Sequence, residues 1–89
     1  MDKIRKRFIF HGEVQGVGFR WNAKHIARKY DVTGWAENRY DGTVEMEAEG
    51  NPRDIDCLIH ELKHARWTYI ERIEEQDIAL QDGYGFEIR

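Results

Sequence analysis

The chain has 89 residues, with 14 Lys and Arg side chains against 17 Asp and Glu side chains and a formal net charge of −3. A chain of this length buries only about 60–65% of its unfolded surface, so we expect one domain over residues 1–89 and exclude a multidomain protein. The charge is uneven, because residues 1–30 carry +6 and residues 31–89 carry −9. A site for an anion is therefore expected in the first third.

The sequence contains no signal for export or membrane insertion. Apolar runs such as residues 8–10 and 57–59 are far shorter than the ~20 residues that span a bilayer. The charged residues near the start are followed by no apolar segment of the kind found in signal peptides. Cys57 is the only cysteine and cannot form an internal disulfide. We therefore predict a cytoplasmic protein without membrane contacts.

The first half of the chain predicts a strand, a helix and a hairpin. Residues 7–14 are rich in aromatic and β-branched side chains and end at a glycine-bearing loop. A helix that stops before Val32 is predicted by the apolar spacing of Phe19, Ala23, Ile26, Ala27 and Tyr30. Residues 32–38 and 43–49 flank Asp41-Gly42, a typical hairpin turn. The alternation of the second arm puts Val44, Met46 and Ala48 in the core and Thr43, Glu45, Glu47 and Glu49 in water.

The second half predicts a helix and two further strands. Asn51 can cap a helix that has Pro52 in its first turn, and the buried stripe is formed by Ile55, Leu58, Ile59 and Leu62. Residues 69–78 are β-rich but alternate poorly, which predicts a bulge or an irregular edge strand. Residues 84–88 alternate again and predict a short final strand. We expect the charged cluster Lys3, Arg5, Lys6 and Arg7 to be a solvated start of the first strand, with attraction of anions as the alternative.

This β-α-β-β-α-β order predicts an α+β, ferredoxin-like fold, in which two helices cover one face of an antiparallel sheet. In this topology the first and second strands run the same way, on either side of the third. Their carboxyl ends then lie at one edge of the sheet. That edge collects the loop 15–20, Asn38 and the turn 40–42.

The loop at residues 15–20 has the features of a phosphate site. Its glycines lead into a helix N-terminus, where backbone N–H groups and the helix dipole favour an anion. Arg20 adds a planar fork of donors that matches two phosphate oxygens. Glycine turns between a strand and a helix are also common for structural reasons alone, so this spacing leaves both interpretations open.

Two longer motifs decide between them. The sequences GEVQGVGFR at residues 12–20 and GWAENRYDGTVE at residues 34–45 closely resemble the two signatures of the acylphosphatase family, and FEIR at residues 86–89 resembles its usual ending. The resemblance covers nearly the whole chain. It departs at Ala36, where a valine is usual, and at HARWT in residues 64–68, which lacks a Gly-Pro pair often found there.

The resemblance implies a metal-independent and cofactor-free monomeric enzyme that hydrolyses acyl phosphates to a carboxylate and inorganic phosphate, with phosphate as product and inhibitor. By match to the first signature, the phosphate would be held by Arg20 and by the backbone amides of Gln15, Gly16, Val17, Gly18, Phe19 and Arg20. By match to the second, Asn38 would position the attacking water. An acylphosphatase-like domain for carbamoyl transfer in a larger enzyme is an alternative that the short chain disfavours.

Two other motifs suggest different functions. HELKH at residues 60–64 fits the zinc-protease pattern, but its helical phase places His60 and His64 opposite the apolar stripe, and no third ligand is evident. GYGF at residues 83–86 resembles part of an RNA-recognition motif, which makes a non-catalytic RNA-binding module the alternative. The −9 charge of residues 31–89 would repel nucleic acid, so we predict no nucleic-acid partner. Alternation places Trp35 outside the helix-covered core.

Overall fold

Five strands and two helices account for most of residues 2–89, the part of the chain that the computed structural model describes. In chain order they are β1 (Ile4–Glu13), α1 (Phe19–Lys29), β2 (Thr33–Asn38), β3 (Val44–Gly50), α2 (Pro52–Lys63), β4 (Tyr69–Ile78) and β5 (Phe86–Ile88). As predicted, Asn51 caps α2, since its side chain accepts a hydrogen bond from the Arg53 N–H. Neither helix is long and apolar enough to cross a bilayer.

The strands form one sheet in the order β4-β1-β3-β2-β5. β3 lies between β1 and β2 and is antiparallel to both, while β4 is antiparallel to β1 on the outer side. The ferredoxin-like α+β fold is therefore confirmed. One detail differs from the antiparallel sheet that we predicted, because β5 pairs parallel to β2 and makes the sheet mixed. The reason is that residues 79–85 carry the chain from the β4 edge to the opposite edge, where it runs alongside β2.

The core lies between the sheet and the two helices. The apolar faces predicted for the two helices are buried there against the sheet. The helices contribute Phe19, Ala23 and Ala27 from α1 and Ile55, Leu58 and Leu62 from α2. The sheet contributes Phe8, Phe10, Val44, Met46 and Ala48. Burying each large apolar side chain contributes roughly 1.5–3 kcal/mol. Because Phe19 opens α1 and packs on Phe10 with ring centroids 4.9 Å apart, the core also fixes the start of α1 at the end of β1.

The predicted irregularity of β4 is a bulge at the sheet edge. The β1–β4 register shifts between His11, which lies opposite Arg72, and Gly12, which lies opposite Ile70. Gly12 has a φ of 130°, and a Cβ there would lie 2.3 Å from the Tyr69 carbonyl oxygen. The close approach of the two backbones at the bulge therefore requires glycine at position 12.

Ion pairs cross the face of the sheet without helices, and three residues that we predicted to face water are buried. Arg5 is 3% exposed, Thr43 is 7% exposed and Glu49 is 1% exposed. Arg5 and Glu49 are register partners on β1 and β3, and Arg5 Nη1 lies 3.1 Å from Glu49 Oε1. Arg5 also contacts Glu47 at 2.8 Å. Cross-strand pairing also explains why β1 begins at Ile4 rather than at the predicted residue 7.

Glu49 has a second set of donors. Its carboxylate accepts hydrogen bonds from the backbone N–H groups of Gln81 at 2.8 Å and Asp82 at 3.0 Å. These bonds attach the crossing segment, residues 79–85, to the open face of the sheet. The segment covers Glu49 and Arg5 and delivers the chain to β5.

Candidate active site

The loop between β1 and α1 offers a row of free backbone donors. Gly16 and Gly18 have φ values of 76° and 78°, in the left-handed region that favours glycine. Gly18 is also the N-cap of α1 and, because it has no side chain, it cannot cap the first N–H groups of the helix. Within residues 2–89, the N–H groups of residues 15–20 donate to no other backbone group. They remain available to an anion at the positive end of the helix dipole.

Arg20 lies in the first turn of α1, next to these amides. Its Nη1 donates a hydrogen bond of 2.6 Å to the backbone oxygen of Arg89. Residue 89 is held in place by its own N–H, which donates to the Ala36 carbonyl at 2.8 Å. One branch of the guanidinium is thereby anchored, and the other N–H groups of the fork stay free for two oxygens of an anion.

Asn38 is the last residue of β2, where it pairs with Val44. Its side chain could have stabilised the following turn by hydrogen bonding, but the side chain of Asp41 makes those hydrogen bonds instead. The Asp41 carboxylate accepts from the Thr43 hydroxyl at 2.6 Å and from the Thr43 N–H at 3.0 Å. These same hydrogen bonds to Thr43 lower the pKa of Asp41 below its ordinary value. Within residues 2–89 the Asn38 carboxamide makes no hydrogen bond, so it is free to bind a ligand or water.

Gln15 ties the loop to the turn. Its side-chain amide donates to the carbonyl oxygens of Arg39 at 2.6 Å and Thr43 at 2.8 Å. Both carbonyls flank the β2–β3 turn, directly after Asn38. The side chain of Gln15 therefore fixes the distance between the loop amides and Asn38. This positioning role was not predicted, because the sequence indicates only a backbone amide at this position.

A cleft of about 160 Å³ brings the predicted residues together. It is lined by Val14, Gly16, Gly18, Phe19, Arg20, Trp21, Asn38 and Ile88. Of the predicted amide donors, Gln15 and Val17 line a neighbouring cleft of about 430 Å³ instead, on the β4 side of the loop. Among residues 2–89, Arg20 is the one ionisable residue that lines the smaller cleft. The cleft can therefore bind an anion and orient a neutral molecule, but its side chains offer no proton acceptor of the His or carboxylate type.

Sequence reasoning missed Trp21 and Ile88 in this cleft, and it missed the backbone oxygen of Arg89 that anchors Arg20. Ile88 reaches the cleft and Arg89 reaches Arg20 because β5 runs parallel to β2, a pairing that the sequence pattern did not predict. Trp21 follows Arg20 in the helix and is 58% exposed. An exposed tryptophan off the apolar stripe of the helix was the signal that could have identified it.

The two alternative motifs lie outside this cleft. Glu61, the acidic residue of HELKH, contacts the Lys29 ammonium at 2.8 Å and accepts a hydrogen bond from the Tyr30 hydroxyl. These hydrogen bonds from Lys29 and Tyr30 hold its pKa below the ordinary value, and they join α2 to α1. In GYGF, Phe86 is buried in the core rather than displayed on the open sheet face, so the RNA-binding alternative gains no support.

A family model, curated relatives and a solved structure all indicate the acylphosphatase family. Residues 6–88 match the family model described as acylphosphatase. An acylphosphatase of Geobacillus kaustophilus is 55% identical to the chain, over 92% of the chain and 98% of the relative. One from Thermococcus kodakarensis is 48% identical, over 98% of the chain and 93% of the relative. The crystal structure of an acylphosphatase from Bacillus subtilis superposes with a TM-score of 0.91 at 32% identity, covering 97% of this chain and 98% of that one.

Proposed function

Because the chain belongs to the acylphosphatase family, we propose that it hydrolyses acyl phosphates at the site formed by Arg20, Asn38 and the 15–20 loop. The products are a carboxylate and inorganic phosphate. The observation that carries this proposal is the cleft itself, which combines an anchored guanidinium, free loop amides and an unpartnered carboxamide.

In the proposed mechanism, Arg20 and the amides of residues 15–20 bind the three nonbridging oxygens of the phosphoryl group. The oxygen of a water attacks phosphorus, and the bond from phosphorus to the acyl oxygen breaks, its electron pair remaining on the carboxylate. Phosphoryl transfer of this kind passes through a loose transition state with charge spread over the three oxygens. Fixed donors that face this charge are the main source of catalysis.

Within residues 2–89 no His, Asp or Glu lines the cleft, which fits this reaction. The leaving carboxylate has a conjugate acid with a pKa of about 4–5, so it departs without a proton from the enzyme. The water needs to be aimed in line rather than deprotonated in advance, and its proton is released late to a phosphate oxygen or to solvent. Asn38 does the aiming in this proposal, by accepting a hydrogen bond from the water.

A carboxylate would be a poor substitute for Asn38. Two unit negative charges ~4 Å apart repel by about 4 kcal/mol at an effective dielectric constant of 20. The phosphoryl group of the substrate is close to dianionic, so an aspartate in this position would oppose substrate binding. A carboxamide offers the same acceptor geometry without that repulsion.

We also propose that the enzyme is a cytoplasmic monomer, formed as one domain by residues 1–89, and that inorganic phosphate inhibits it by occupying the same cleft. The single core, the half-buried free thiol of Cys57 and the near-complete overlap with the relatives support this. A sedimentation measurement should give a mass near 10.6 kDa.

The direct test is hydrolysis of acetyl phosphate by the purified protein, followed by the release of inorganic phosphate. We expect turnover that added phosphate inhibits competitively. A purified, folded protein that leaves acetyl phosphate and a second acyl phosphate intact would refute the proposal.

A further inference from the structure

Two histidines lie one turn apart at the end of α2, away from the candidate active site. His60 and His64 are both exposed, and neither lines the cleft that contains Arg20 and Asn38. Their imidazole rings lie against each other, with centroids 4.2 Å apart and planes inclined by 31°. Side chains four positions apart share one face of a helix, so this pairing is fixed by the helix itself.

The hydrogen bonding of His64 prepares one of its nitrogens to bind a metal. Its Nδ1 lies 2.9 Å from the carbonyl oxygen of His60. A carbonyl oxygen only accepts hydrogen bonds, so in the neutral ring the proton is on Nδ1 and the lone pair is on Nε2. Metal-binding histidines are typically oriented by such a bond from their second nitrogen to a carbonyl. The His60 ring makes no hydrogen bond within residues 2–89, so its nitrogens are free to turn toward the same ion.

The end of α2 is also a favourable place for a cation. His64 is the C-cap of this helix, where the last carbonyl groups form the negative end of the helix dipole. The exposed carboxylate of Asp56 lies one turn before His60 and adds negative charge to the same side of the helix. The ammonium of Lys63 opposes this attraction, but it is exposed and screened by solvent.

The pair does not form the catalytic zinc site that the HELKH pattern resembles. Glu61, the residue that would act as general base, is occupied by Lys29 and Tyr30 of the neighbouring helix. Within residues 2–89 no group of three His, Cys, Asp or Glu side chains is placed to hold a metal ion. A metal at this position therefore has two protein ligands, and water completes its coordination.

We propose that His60 and His64 together bind one divalent transition-metal ion that favours imidazole nitrogen, such as Zn²⁺, Ni²⁺ or Cu²⁺, and that the bound ion stabilises the native fold. One nitrogen of each ring lies ~2.0–2.1 Å from a bound Zn²⁺. The two rings are neighbours only while α2 is helical, so the ion binds the native state more tightly than the unfolded chain. Mg²⁺ and Ca²⁺ prefer oxygen ligands and do not bind here.

The test is a titration of the purified chain, carrying no histidine tag, with NiCl₂. Calorimetry should show one Ni²⁺ ion bound per chain. Thermal unfolding followed by circular dichroism should show a Tm that rises by about 5–10 °C when free Ni²⁺ is roughly tenfold above its Kd. Cu²⁺ should bind more tightly than Ni²⁺ or Zn²⁺, and MgCl₂ should leave the Tm unchanged.

Variants assign the ligands. His60→Ala and His64→Ala should each raise the Kd for Ni²⁺ at least about tenfold and remove most of the rise in Tm, because each substitution leaves a single imidazole. Each rise is measured against the metal-free Tm of the same variant, so a change in basal stability does not affect it. His25→Ala is the matched control, since His25 is also exposed on a helix but is the only histidine of α1.

Three results would overturn the inference. Unchanged Ni²⁺ affinity in folded His60→Ala and His64→Ala would remove the pair from metal binding. Loss of affinity in Cys57→Ser but not in His60→Ala would place the ion on the thiolate instead. Binding that leaves the Tm unchanged would refute the stabilising role. None of these measurements uses hydrolysis, so the inference and the proposed function fail independently.

Discussion

Replacing Glu49 should destabilise the domain far more than replacing its neighbour Glu45 on the same strand face. Glu49 is 1% exposed and accepts hydrogen bonds from Arg5, Gln81 and Asp82 at 3.1, 2.8 and 3.0 Å. Glu49→Ala leaves the buried guanidinium of Arg5 short of one partner and removes the attachment of the crossing segment. Breaking a buried ion pair in this way costs about 3–5 kcal/mol.

Glu49→Gln is the more informative substitution because it keeps the size of the side chain and one oxygen acceptor. We expect it to lower the free energy of unfolding by about 2–3 kcal/mol, since a hydrogen bond to a charged group contributes about 1.5–3 kcal/mol. This corresponds to a fall in Tm of roughly 10–20 °C in a domain of this size. Glu45→Gln, which removes a partly exposed contact to Arg7, should cost about 0.2–1 kcal/mol.

Urea unfolding followed by circular dichroism measures both variants. The pH dependence supplies an independent check. Burial raises the pKa of the Glu49 carboxyl, but the hydrogen bonds from Gln81, Arg5 and Asp82 outweigh it and hold the pKa below the ordinary 4.5. A carboxyl whose pKa is lowered by folding stabilises the native state fully above its unfolded pKa and loses that contribution as pH falls through the lowered value.

The stability gap between wild type and Glu49→Gln should therefore be full above about pH 4.5 and shrink on further acidification. Equal stabilities of Glu49→Gln and Glu45→Gln at neutral pH would refute the reasoning. A gap that widens with acid would contradict the assigned direction of the pKa.

The remaining predictions concern catalysis. Arg20→Gln should reduce kcat/KM for acetyl phosphate by about a thousandfold and weaken inhibition by phosphate, whereas Arg28→Gln, on an exposed turn of the same helix, should change neither. Asn38→Ala should lower kcat by about a hundredfold while sparing the Ki for phosphate, because aiming the water matters in the transition state. Asn38→Asp should lower kcat and also weaken inhibition by phosphate, because the aspartate repels the anion. Equal Ki values for the two Asn38 variants would contradict this. Treatment with EDTA should leave activity unchanged, and a loss that added Mg²⁺ or Zn²⁺ restores would show that a metal takes part.

Local patterns were sufficient to predict most of the elements. The spacing of Phe19, Ala23 and Ala27 predicted α1, and Asn51-Pro52 predicted the start of α2, because helix periodicity and capping are properties of neighbouring residues. The topology then predicted that Asn38 and the loop 15–20 share one sheet edge, and the cleft contains both Asn38 and Arg20. Their catalytic roles stay predictions until the variants are assayed.

What could not be predicted depends on contacts between distant parts of the chain. Alternation alone assigned Glu49 to water, since nothing local indicates that Arg5 is its register partner or that residues 79–85 cover it. The side chain of Gln15 is a similar case, because its two acceptors lie 24 and 28 positions away. Such long-range polar contacts follow from strand register and connection path rather than from composition.

The pairing of β5 with β2 makes the orientation of Arg20 depend on one of the least extensive parts of the sheet. β5 contributes three register pairs to β2, whereas β1 contributes seven to β3. Short edge elements open locally at a lower free energy than the whole domain unfolds. When the end of β5 beyond the buried Phe86 detaches, the acceptor on residue 89 leaves Arg20 and Ile88 leaves the cleft, while Phe86 stays in the core. Because we propose that Arg20 holds the phosphate, we expect heat to inactivate the protein reversibly below the temperature at which its helices melt.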